Sequence, residues 1–120
     1  MQSVPTLLHT RLCAAPERVV VTFIDLDGAS HALRAGELAA MAHSVARRIA
    51  TIDLPARALI GIVHKTGPWL HAAWLGALLA GHVPTMIAPP SPRMEPRKYA
   101  EGFASIVSHL GIDAIVLDEV

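Results

Sequence analysis

The sequence predicts an α/β fold, a layered arrangement whose sheet is mainly parallel, built of βαβ units, and follows an N-terminal β-hairpin. Three observations predict it. Residues 58–90, ALIGIVHKTGPWLHAAWLGALLAGHVPTMIAPP, read as a strand, a buried helix and a second strand. Arg18 to Asp25 (RVVVTFID) is rich in β-branched residues and leads into Asp27-Gly28, a hairpin turn signal, with Ser30 to Arg34 as the returning strand. A further helix and strand, from Pro96 to Leu117, repeat the alternation that parallel sheets require.

Taken in order, Met1 to Ala15 is expected to form a short docked helix, with Ser3 or Thr6 as its cap, Pro5 at a starting position and Leu7, Leu8 and Leu12 at helical spacing. After the hairpin, Ala35-Gly36-Glu37 opens an amphipathic helix. Leu38, Met41, Ala42, Val45, Ile49 and Ile52 share one face, and His43, Arg47 and Arg48 fall elsewhere. Asp53 to Arg57, with Pro55, is a loop into the strand Ala58 to Val63. The polar cluster His64-Lys65-Thr66 and then Gly67-Pro68 end that strand, with Thr66 expected as N-cap and Pro68 in the first helical turn. Trp69 to Ala80 is apolar nearly all round and carries small residues, so it should be buried on more than one side. Gly81 is expected in the left-handed conformation that ends many helices, before a strand from Val83 to Ala88. A helix between two such strands implies a right-handed parallel crossover, with both strands covered on both faces. Pro89 to Pro96 should be extended and stiff. The helix from Pro96 is expected to turn Phe103, Ile106, Val107 and Leu110 to the sheet and to end at Gly111, ahead of a strand at Asp113 to Leu117. Asp118-Glu119-Val120 then stand where an α/β sheet usually carries a ligand-binding loop.

The chain has 120 residues, 52% of them hydrophobic and 17% charged, which is about the size of one domain, expected to be folded and without a linker between two domains. Ten basic side chains balance ten acidic ones, so there is no electrostatic footprint for nucleic acid or an anionic membrane. The single cysteine, Cys13, suits a reducing, cytoplasmic compartment and is expected to be small core filler. No basic residue precedes an apolar run at the start, so no signal peptide is expected. The apolar span from Trp69 to Ala88 splits into a helix and a strand too short to cross a bilayer.

Motifs that carry chemistry are mostly absent. No G-x-G-x-x-G and no G-x-x-x-x-G-K-[ST] occurs, and no G-x-S-x-G. Seven histidines (His9, His31, His43, His64, His71, His82 and His109) form no H-x₃-H or H-E-x-x-H pair, so no metal site is expected. His71 reads as a hydrogen-bonded core histidine, and His82 as a helix-end residue whose charge would suit the helix dipole. Asp25 and Asp27 near a strand end would suit a phosphorylatable acidic pair, but the hairpin turn stands where such a site needs a helix. His64, Lys65 and Thr66 form the one polar cluster at the carboxyl end of a core strand, the best position for touching a ligand. A plain helix-start loop with a solvated Lys65 is the simpler account of them.

The order of these pieces carries a resemblance. A hairpin with an Asp-Gly turn, then HALRAGELAAMAHSVARRIA, then ALIGIVHKTGPWLHAAWLGALLAGHVPTMIAPPSP, resembles the start of the large N-terminal domain of the AMP-forming acyl-activating enzymes. These include acyl-CoA synthetases, fatty-acyl-AMP ligases, nonribosomal peptide adenylation domains and luciferases. Leu33-Arg34-Ala35-Gly36-Glu37-Leu38 matches the segment leading into the family's alanine-rich helix. Ala73 to Gly81, followed by Val83-Pro84, resembles its helix ending in A-x-x-x-A-G-x-x-x-V-P, with one residue, His82, between Gly81 and Val83 where the family pattern has three. Two further departures stand out: the usual aromatic residue before Glu-Leu is replaced around Leu33, and His64-Lys65 occupy the loop where the family often has Asn. The Pro-Pro loop after Ala88 looks like the fatty-acyl and polyketide-associated branches.

The resemblance implies an enzyme of carboxylic acid metabolism, with fatty acids or related acids as its substrate class: a ligase that uses ATP and magnesium to form an acyl-adenylate. The acyl group then passes to coenzyme A or to a carrier-protein pantetheine. The family's phosphate loop, its aromatic-Gly-x-Thr-Glu motif, its ribose-binding Asp and its mobile Lys all lie downstream of the matched region. The resemblance therefore implies a fragment that scaffolds catalysis, inactive alone, with the remainder of the ligase as its partner in cis, or in trans if the enzyme is split. No catalytic, cofactor-binding or metal-ligating residue is assigned, and His64, Lys65 and Thr66 are the substrate-proximal candidates. The alternative is a free-standing, non-catalytic α/β domain that binds a partner chain. Uncovered sheet or helix faces would also permit self-association.

Overall fold

A computed structural model describes residues 3–117. The element order is α1 (Val4–Ala14), β1 (Val19–Ile24), β2 (Ser30–Arg34), α2 (Ala35–Ala50), β3 (Leu59–Val63), α3 (Pro68–Leu79), β4 (Val83–Ile87), α4 (Pro96–Leu110) and β5 (Ala114–Leu117). Met1, Gln2 and Asp118-Glu119-Val120 lie outside the described residues.

The expected hairpin is present. β1 and β2 pair antiparallel, with Phe23 opposite His31 and a bulge between Val19 and Val21. Gly28 has φ +90°, a backbone state that costs a residue with a Cβ, so the turn sits where the Asp-Gly pair places it. The other three strands form a separate parallel sheet in the order β4-β3-β5. Ile60 lies opposite Pro84 and Ala114, and Ile62 opposite Met86 and Val116, so these six residues share one face.

That face packs on α2 and α3. Ile60 and Ile62 are the largest fully buried side chains, and Ile60 lies in a core cluster with Ile49 of α2, Ala58 and Ala77 of α3. The two helices approach closely at Gly76. A Cβ added there would stand 2.7 Å from Val45 Cβ and 2.8 Å from the Ala42 carbonyl oxygen. The chain moves from β3 to β4 on one side and then back across β3 to β5. Right-handed crossovers in opposite directions put α3 and α4 on opposite faces. Gly61 agrees, since its side-chain direction points at Ile87 and at Ile112, which follows α4.

Several expectations are corrected by the packing. Gly67, not Thr66, is the N-cap of α3, and it supplies no side-chain cap. Only β3 is covered as expected: Val83 and Met86 of β4 are exposed, because β4 is an edge strand with no neighbour beyond it. In α4, Phe103 and Val107 are half-buried while Ile106 and Leu110 are exposed, so its apolar stripe is only partly covered. Ile52 falls beyond the end of α2 and is exposed. Cys13 is exposed on α1 rather than buried as core filler. The proline-rich segment is not extended throughout, since the Met94 N–H donates to the Ser91 carbonyl at 3.0 Å and closes a turn.

The accessible surface is 8307 Å². A compact monomer of 12.8 kDa would expose about 6,300 Å², so this chain exposes roughly 2,000 Å² more. Its radius of gyration, 15.6 Å, likewise exceeds the value of about 13.6 Å expected for its length.

Candidate functional site

The strand order sets where a ligand can reach the backbone. β3 is central, and the connections leaving the sheet diverge beside it, which makes the carboxyl end of β3 the topological switch point. The loop that leaves this end is His64-Lys65-Thr66-Gly67, so all three sequence candidates fall there together. His64 is half-buried, and Lys65 and Thr66 are exposed.

Hydrogen bonds define the loop. The His64 ring donates from Nδ1 to the Lys65 carbonyl at 2.8 Å. The Gly67 carbonyl accepts from Leu70 N–H at 3.2 Å and from His71 Nδ1 at 3.1 Å, which ties the loop to the first turn of α3. His71 is therefore the half-buried, hydrogen-bonded histidine expected from its apolar helix, and its ring also meets Phe23 edge-on at 5.4 Å.

Beside the loop runs a groove of about 610 Å³ between α2, α3 and β5. His64, Trp69 and Leu117 are among its lining, and Ser44 and Arg48 are contributed by α2. Sequence pattern places Arg48 only on a face of its helix away from the apolar stripe. Nothing in the spacing brings it to the groove that His64 lines, because both come to line it through the packing of α2 against α3. The groove offers one cation, Arg48, an imidazole, a hydroxyl and apolar wall. No acid, base and nucleophile come together among its residues. Among the described residues no group of three His, Cys, Asp or Glu is placed to hold a metal ion. Among the described residues no helix is long and apolar enough to cross a membrane.

The fold defines a class. No protein-family model matches the sequence, and no curated protein matches it. Solved structures do. The fatty acid AMP ligase from Legionella pneumophila superposes with a TM-score of 0.82 over 98% of this chain and 20% of its own length, at 20% identity. The N-terminal subdomain of NpsA from Klebsiella oxytoca matches with a TM-score of 0.76 over 100% of this chain and 28% of its own, at 19% identity. The nonribosomal peptide synthetase FmoA3, in an AMPPNP-bound form, matches with a TM-score of 0.70 over 93% of this chain and 11% of its own, at 22% identity. The chain thus shares its fold with a part of each of these proteins, in NpsA the N-terminal subdomain, and spans between 11% and 28% of the three chains.

Proposed function

We propose that this chain is the N-terminal structural portion of an ATP-dependent, AMP-forming ligase that activates a carboxylic acid, and that it is inactive alone. The observation that carries this reading is the match over 100% of the chain to the N-terminal subdomain of NpsA, joined by a match over 98% of the chain to a fatty acid AMP ligase. Its role is to hold the parallel sheet and its helices in register for chemistry supplied by the rest of the ligase, joined in cis or bound in trans. The acid is a fatty acyl or related carboxylate, in keeping with the Pro89-Pro90 loop. The acceptor is coenzyme A or a carrier-protein pantetheine, and ATP with magnesium is bound by the remainder. His64, Lys65 and Thr66 face the substrate side at the switch point, and the protein works in the cytoplasm.

The surface excess of roughly 2,000 Å² also fits the second reading, a non-catalytic domain that docks on a partner chain. Calorimetric titration with AMPPNP separates the two. For the ligase portion, the 120-residue chain should bind no nucleotide, and binding should emerge once the polypeptide is extended through its downstream reading frame. Binding by neither leaves the docking domain as the surviving reading, and binding by the 120-residue chain itself overturns both.

A further inference from the structure

We propose that the hairpin tip of this chain docks into the groove between α1, β1 and α3 of a second copy. The tip is a rigid turn: Asp25 N–H donates to the Ala29 carbonyl at 2.7 Å, Gly28 N–H to the Asp25 carbonyl at 2.9 Å, and Ala29 N–H to the Asp27 carboxylate at 2.9 Å. On it Leu26 is fully exposed and Ile24 is 76% exposed. Turn geometry is served by the Asp and Gly residues and needs no leucine at this position. Two carboxylates flank the apolar knob: Asp27, and Asp25, whose Oδ2 also lies 2.9 Å from His31 Nε2.

The groove is the complement of that knob. It encloses about 520 Å³, with Leu8, Leu12, Val20 and Trp74 among its apolar walls and Arg11 and Arg18 among its lining. An apolar projection flanked by two negative charges thus meets an apolar recess bearing two positive charges. The tip cannot fill its own groove. Arg18 and Val20 stand at the start of β1 and the tip follows its end, six strand residues and so about 20 Å away.

Two further observations favour a second copy as the occupant. The net charge is zero, so no overall repulsion opposes self-association. The surface excess is larger than the roughly 800 Å² per partner that a standard specific interface buries. The contact is heterologous, tip of one copy into groove of the next.

Sedimentation equilibrium of the 120-residue chain, across protein and NaCl concentration, tests the proposal. The mass should rise with protein concentration and fall with salt, because the charge pairs are exposed. Leu26→Asp should weaken association at least about tenfold, with an unchanged circular dichroism spectrum. A chain carrying Arg11→Glu and Arg18→Glu, and another carrying Asp25→Lys and Asp27→Lys, should each lose self-association yet associate when mixed. A wild-type chain that stays monomeric overturns the proposal. So does self-association that Leu26→Asp leaves intact, which would place the contact on another face.

Discussion

His82 Nδ1 accepts a hydrogen bond from the backbone N–H of Ala58 at 3.0 Å, across 24 residues of sequence. One residue on, Leu59 N–H donates to the Asp113 carboxylate at 2.9 Å. The two side chains come from the turns after α3 and α4, so each crossover is pinned to the start of the central strand. Ala58 is buried, and an unpartnered N–H there carries the full desolvation cost. His82→Ala is expected to lower stability by about 1–3 kcal/mol. Asp113→Ala, at a more exposed contact, should cost about 1 kcal/mol. Urea unfolding followed by circular dichroism measures both. A midpoint unchanged in His82→Ala would show that the bond stabilises nothing.

Gly76 is a contact point between helices rather than a flexible one. Gly76→Ala drives a methyl group into Val45 Cβ and the Ala42 carbonyl, and the second of these is backbone. A loss of about 1–3 kcal/mol is expected despite alanine's better helix propensity. Val45→Ala should fail to rescue it, since Val45 Cβ and the Ala42 carbonyl both remain. Thermal unfolding of the single and double variants decides the point, and a stabilised Gly76→Ala would mean that α2 and α3 lie farther apart.

Gly81 poses the opposite case. Its φ is +86° and nothing lies within 4 Å of an added Cβ, so Gly81→Ala suffers backbone strain alone. The expected cost is about 1–2 kcal/mol. Asn, which tolerates this conformation better, should recover part of it, as a comparison of unfolding midpoints would reveal.

Ile62 is completely buried at the centre of the parallel sheet. Ile62→Val should cost about 0.5–1.5 kcal/mol and Ile62→Ala about 2–5 kcal/mol. Equal, small effects for both substitutions in denaturant titrations would contradict a packed core at this site.

Much of this architecture is legible in local chemistry. The run RVVVTFID, the Asp27-Gly28 turn and the return at Ser30 define the hairpin because each piece is set by residues within a few positions. Gly81 and Gly111 end their helices with positive φ for the same reason. What local pattern does not supply is coverage. Ile106 and Leu110 have the spacing of a buried face, but burial depends on what packs against α4, and little does. Met86 and Val83 read as interior strand residues because an edge strand and a central one share the same composition. His82 is legible as a helix-end residue and illegible as the acceptor for Ala58, a pairing made only by the crossover. Of the candidate site, the loop His64-Lys65-Thr66 is visible as a polar interruption, whereas Arg48 and Ser44 reach it through tertiary packing.

The most direct test of the proposed role is carboxylate-dependent exchange of pyrophosphate into ATP, with the 120-residue chain compared against the polypeptide extended through its downstream reading frame. Exchange is expected from the extended polypeptide with a fatty or related acid, and none from the 120-residue chain. Exchange by the 120-residue chain alone, or by neither protein across a broad set of acids, would contradict a structural portion of an AMP-forming ligase.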